Sequence, residues 1–172
     1  MEKEKLVMYG VGDVAPYRDD LSSSFVHVKD LFQEGDLTFG QLESVLSETG
    51  PLSSCTRMGC SSRPEVAGAL KDAGFDVISF ASNHALDYGR DAFKETLVHL
   101  RDAGLYVIGA GENEAKAREY PIIDVDGTKV AFLGYGSILP IFSGTLIPGK
   151  TVSLIVLPYL LSWYGRTSRF PP

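Results

Sequence analysis

Four side chains in this 172-residue chain have the type and placement to hold a divalent cation: Asp13, Glu43, Asn83 and His84. Asp13, within Gly10-Val11-Gly12-Asp13-Val14, is a hard anionic oxygen beside a glycine that lets backbone approach closely, which suits a metal ion. A turn or helix-capping aspartate fits the same residues. Glu43 follows Leu37-Thr38-Phe39-Gly40-Gln41-Leu42 and offers either a second carboxylate able to bridge two metals or a solvated strand end. Gln41, two residues earlier, lies on the same face of that strand. The run from Ser79 to Gly89 (SFASNHALDYG) is the most informative, because an apolar strand gives way abruptly to an amide oxygen and an imidazole. Both are competent ligands for zinc, manganese or iron, and His84 is also the candidate catalytic group. Asp87 then either orients His84 or caps the helix that follows. The plain alternative is a turn in which Asn83 and His84 bond only to backbone.

Such residues act together only if the chain delivers them to one place, and the hydrophobic pattern describes how it does so. Leu6–Tyr9 and Asp36–Leu42 read as buried strands that end at Gly10-Val11-Gly12-Asp13 and at Glu43. Residues 64–73 have helical spacing, with Pro64 in the first turn and Gly74 as the stop, and Phe75–Ala81 is the next strand. Residues 88–103 repeat the pattern, with Phe93, Leu97 and Leu100 on one face, Gly104 as the stop and Leu105–Ile108 as a strand. LKDAGFDVISFA at 70–81 and LRDAGLYVIGAG at 100–111 lie thirty positions apart, about the length of one βα unit. Glu114–Arg118 forms a short helix, and Pro121–Val125 and Lys129–Gly134 are two strands joined at the hairpin signal Asp126-Gly127. His27 and His99 fall in predicted helices away from any site. The alternation argues an α/β layered domain with a mostly parallel sheet, in which ligands bind beyond the carboxyl ends of the strands.

Composition narrows the function further. The net charge of −6, from 22 acidic and 16 basic residues with no basic run, argues against a nucleic-acid partner. The charged start and the short apolar stretch after it lack the core of a signal peptide, so the chain reads as cytoplasmic, without an integral membrane segment. Cys55 and Cys60 have no second pair to complete a tetrahedral zinc site and read as ordinary loop thiols. No Gly-rich phosphate loop, Ser-His-Asp order or zinc-finger spacing is present. The acidic residues end at Asp126, and the stretch after it is almost uncharged, with an apolar run over 151–164 broken by Pro158. Residues 1–140 therefore read as one domain, and 141–172 as an atypical apolar tail, truncated or frame-shifted, or as a strand that packs on the core or on a partner.

GVGDV, DLTFGQLES, FDVISFASNHALDYG and LYVIGAGENEAKAREYPIIDVDGTKVAFLGYGS, in this order and spacing, resemble the CapA family of capsule and poly-γ-glutamate synthesis proteins over roughly residues 5 to 140. The run with Asn83, His84, Asp87 and Gly89 is the most specific part. The resemblance implies a calcineurin-like metallophosphoesterase fold, a layered β-sandwich flanked by helices, of which this chain carries the N-terminal half. It implies metal ligation by Asp13, Glu43, Asn83 and His84, with manganese, iron or zinc as the ion and two ions in a complete member. Gln41 stands where the family usually has Asn, which lengthens that side chain. The family completes its second metal site with later histidines, and none follows His99 here. The implied activity is metal-dependent hydrolysis of a phosphoester or of a polyanionic, polymer-related substrate. The alternatives are an accessory binding protein of polymer synthesis and an inactive fragment.

Overall fold

The computed structural model describes residues 5–52 and 59–136. Cys55 and the tail from 141 onward lie outside the described residues, so the expectations for them are not addressed by the structure. Strands β1 (Met8–Val14), β2 (Leu37–Leu42), β5 (Val77–Ser79) and β6 (Tyr106–Ile108) form a parallel sheet in the order β1-β2-β5-β6. Between them lie helices α1 (Lys29–Glu34), α2 (Val66–Ala73) and α3 (Gly89–Asp102). Two-residue strands β3 (Val45–Leu46) and β4 (Ser61–Ser62) pair in parallel beside the main sheet.

Each new strand is added on the same side of the last one, and right-handed crossovers then put every connecting helix on one face of the sheet. The alternation of side chains along the strands shows both faces in use. Ile78 and Phe80 point into a core with Val66, Leu70, Phe93, Leu97 and Leu100 from α2 and α3, whereas Val77, Leu37 and Ile108 pack on the other side. That second face is covered by an antiparallel hairpin of β7 (Ile122–Val125) and β8 (Thr128–Ala131), followed by Phe132. Phe132 stacks on Phe39 of β2, with ring centroids 5.9 Å apart and planes 18° from parallel. The result is a layered α/β arrangement: helices, parallel sheet, hairpin. A further short helix, α4 (Glu114–Ala117), is capped by the Asn113 side chain.

Local chemistry accounts for the boundaries. Gly74 ends α2 at φ 103°, in the left-handed region that a residue with a Cβ avoids. Asp126 and Gly127, both at positive φ, make the two-residue turn between Val125 and Thr128, as the sequence predicts. Two expectations are corrected. Strand β1 does not stop at Tyr9 but runs to Val14, because β2 continues to pair with it past an irregularity between Gly10 and Asp13. His27 lies in a turn before α1 rather than in a helix; that helix begins only at Lys29, after Val28 N–H bonds back to the Phe25 carbonyl.

Candidate metal centre

The carboxyl ends of β1, β2 and β5 lie side by side, and the register aligns Asp13 with Gln41 and Gln41 with Ser79 across the sheet. Asp13 is exposed at the end of β1, and Gln41 is half-buried on β2. One residue past β2, Glu43 stays attached to the sheet through its N–H, which donates to the Val14 carbonyl at 3.0 Å. Its carboxylate is half-buried.

Beyond β5 the chain makes consecutive turns. His84 N–H donates to Ser82 Oγ at 3.1 Å, Ala85 N–H to the Ser82 carbonyl, and Asp87 N–H to the His84 carbonyl. These turns return the Asp87 carboxylate to the ring of His84, with Oδ2 at 2.7 Å from Nδ1. Asp87 is 2 % exposed, so the contact lies in a low-dielectric setting where a charged acceptor is strong. With Nδ1–H donating to Asp87, the lone pair of His84 is on Nε2, which lies 3.6 Å from Glu43 Oε1. Asn83 is exposed on the same loop.

A third group completes the cluster. Ligand atoms of Glu43, Cys60 and His84 all lie within 4.8 Å of one another. Cys60 is a half-buried free thiol held by backbone on both sides. Its carbonyl accepts Val45 N–H at 2.8 Å, and its own N–H donates to Asp87 Oδ2 at 3.1 Å. One buried carboxylate oxygen thus fixes both His84 and Cys60. Tyr17 approaches the Cys60 side chain from the loop after β1. Partial desolvation, then the Cys60 side chain, then Glu43 and Tyr88, push the Tyr17 phenol above its ordinary range, although the residue as a whole is 59 % exposed.

The structure therefore brings together Glu43 and His84, with Asp87 against the imidazole. Asp13 lies outside the close cluster. Cys60, read from the sequence as an ordinary loop thiol, lies in the cluster, and nothing in the sequence singles out Tyr17. The only local signal for Cys60 is its place just before Ser61-Ser62-Arg63-Pro64, a two-residue strand and a helix start that carry no periodic pattern. The donor set is chemically coherent for a divalent ion. Imidazole nitrogen, carboxylate oxygen and sulfur bind a tetrahedral zinc at about 2.0–2.3 Å, which separates neighbouring ligand atoms by about 3.3–3.6 Å. The Glu43–His84 separation is already of that size.

A parallel α/β sheet with polar residues gathered at its carboxyl ends and a possible metal-binding triad there defines a mixed α/β protein of metallophosphoesterase-like architecture in its described part. The chain belongs to the bacterial capsule synthesis protein PGA_cap family, which matches residues 7–145. It is 31 % identical over 145 residues to the capsule biosynthesis protein CapA of Bacillus anthracis, covering 78 % of this chain and 35 % of that protein. It is also 30 % identical over 115 residues to the PGA biosynthesis protein CapA of Bacillus subtilis (strain 168), covering 66 % of this chain and 30 % of that one. The chain spans about a third of the length of these relatives. Among the described residues no helix is long and apolar enough to cross a membrane.

Proposed function

We propose that this chain binds a divalent metal ion at His84 and Glu43 and acts as a metal-dependent, phosphoesterase-like hydrolase in capsule or poly-γ-glutamate synthesis. The observation that carries the reading is the His84 geometry: Nδ1 engaged by buried Asp87 at 2.7 Å and Nε2 directed toward Glu43 Oε1 at 3.6 Å. A carboxylate behind the distal nitrogen of a ligating histidine fixes its tautomer and orientation, and that is the arrangement found behind metal-bound imidazoles generally. Asp13, at the end of β1, and Asn83, on the loop that follows β5, are the proposed further ligands, with Gln41 on β2 between those two strands.

A bound divalent ion would lower the pKa of a coordinated water and neutralise charge on phosphoryl oxygens. The protein's own residues do the rest. Asp87 holds the His84 ring, the Glu43 carboxylate supplies anionic charge, and the open carboxyl end of the sheet admits a polyanionic substrate to the ion. Membership of the family and the printed roles of its capsule and PGA biosynthesis relatives support the pathway.

Metal content of the purified chain and phosphodiesterase and phosphomonoesterase activity with added manganese or zinc, for the wild type and His84→Ala, test the reading. Bound metal and hydrolysis, both lost in His84→Ala, are the expected result. Metal bound without hydrolysis would replace the enzyme reading with a binding role in polymer synthesis, and no metal in a folded sample would refute both.

A further inference from the structure

We infer that Cys60 is a metal-binding thiolate of this centre, so that Glu43, Cys60 and His84 form a three-ligand site selective for zinc over manganese or magnesium. The inference rests on the proposal that Glu43 and His84 take a metal, and goes beyond it by adding a sulfur ligand and the selectivity that follows.

Three observations carry it. The first is that the backbone of Cys60 is tied on both sides to the segments bearing the other two ligands. Its carbonyl binds Val45 N–H, two residues after Glu43, and its N–H binds the same Asp87 oxygen that holds His84. The approach is tight: a Cβ on the preceding Gly59 would lie 2.9 Å from the Tyr88 hydroxyl and closer still to Leu52.

The second is distance. The three ligand atoms lie within 4.8 Å of one another, and a tetrahedral zinc needs them about 3.3–3.6 Å apart, so no pair has to close by more than about 1.5 Å. The third is the donor set itself. One nitrogen, one carboxylate oxygen and one sulfur leave a fourth position open, which is the pattern of catalytic rather than structural zinc. A soft sulfur beside an imidazole favours zinc, whereas manganese and magnesium favour all-oxygen surroundings. On ligation the S–H bond breaks, the sulfur's electron pair goes to the ion, and the proton leaves to solvent.

The test is a cobalt titration of the full chain, freed of metal by chelator and then dialysed, with zinc competition and a parallel manganese titration. The wild type and Cys55→Ser are expected to give a sulfur-to-cobalt charge-transfer band in the near ultraviolet, which added zinc abolishes. Cys60→Ser is expected to lose the band and at least about a hundredfold in zinc affinity, since even outer-sphere partners are worth 10–100-fold, while manganese binding changes only a few-fold. The melting temperature of chelated Cys60→Ser establishes that it folds; if it does not, the band in Cys55→Ser still decides the point. Cobalt bound in a His84-dependent way without that band overturns the role of Cys60 and leaves the proposed function standing. Absence of any cobalt or zinc binding in the folded wild type overturns both.

Discussion

Replacing Asp87 by Asn probes the centre without altering a ligand. The carboxylate is 2 % exposed and accepts from His84 Nδ1 at 2.7 Å and from Cys60 N–H at 3.1 Å. An asparagine keeps the volume, and because both bonds end on Oδ2, its amide oxygen in that place keeps both as bonds to a neutral acceptor. What is lost is the negative charge that holds the proton on Nδ1 and makes Nε2, the atom that faces Glu43, the more basic nitrogen. The ring stays in place but is a weaker ligand. Loss of a carboxylate behind a ligating histidine costs 10–100-fold in metal affinity. A hydrogen bond to a charged group contributes about 1.5–3 kcal/mol, and relief of the buried charge offsets part of that, so we expect a stability loss of about 1–2 kcal/mol without metal. Zinc affinity measured by competition with a chromophoric chelator, together with urea unfolding in EDTA, separates the two effects. Wild-type zinc affinity in Asp87→Asn, with lowered stability alone, would refute the positioning role and leave Asp87 as a structural tie between the two loops.

Further perturbations test the scaffold. Thr96 is fully buried; its Oγ1 accepts Leu46 N–H at 2.9 Å and donates to the Ala92 carbonyl at 2.8 Å, so Thr96→Val orphans a buried N–H and should cost about 1–3 kcal/mol in denaturant unfolding. Phe132→Ala removes the 1 %-exposed ring stacked on Phe39 and should cost about 3–5 kcal/mol, with amide exchange quickened first in the hairpin. Hydrogen bonds from Ser47, then Thr49, hold the Glu95 carboxyl below its ordinary range. A depressed carboxyl pKa stabilises the fold above the unfolded-state value and is lost as pH falls through the folded one, so the melting temperature should drop on acidification and Glu95→Gln should flatten that drop.

What could be read from the sequence follows from where local chemistry decides the outcome. Gly74 and Asp126-Gly127 mark a helix end and a turn through their own backbone preferences, and α3 shows its buried face in Phe93, Leu97 and Leu100. Polar residues at strand ends pointed to Glu43 and His84, and the fold brings them within 3.6 Å. Features made by distant pairing were not legible. The extension of β1 to Val14 exists because β2 lies beside it, and β3 meets β4, sixteen positions further along the chain, through only two rungs. Cys60 reaches the centre through that pairing and through Asp87, neither of which leaves a periodic trace. His27 falls in a predicted helix, yet the helix starts after it, at Lys29.

The order β1-β2-β5-β6 also has a consequence for how the chain is made. In a sheet wound outward from a central strand, early strands wait for partners on both sides. Here each strand of the main sheet docks on one already synthesised, and its crossover helix lies between the two in the chain. The sheet can therefore grow by addition at a single edge as the polypeptide leaves the ribosome, with α2 and α3 covering each new strand in turn. The hairpin follows all four of these strands, and until it arrives Leu37, Val77 and Ile108 present a bare apolar surface to the nascent chain's surroundings.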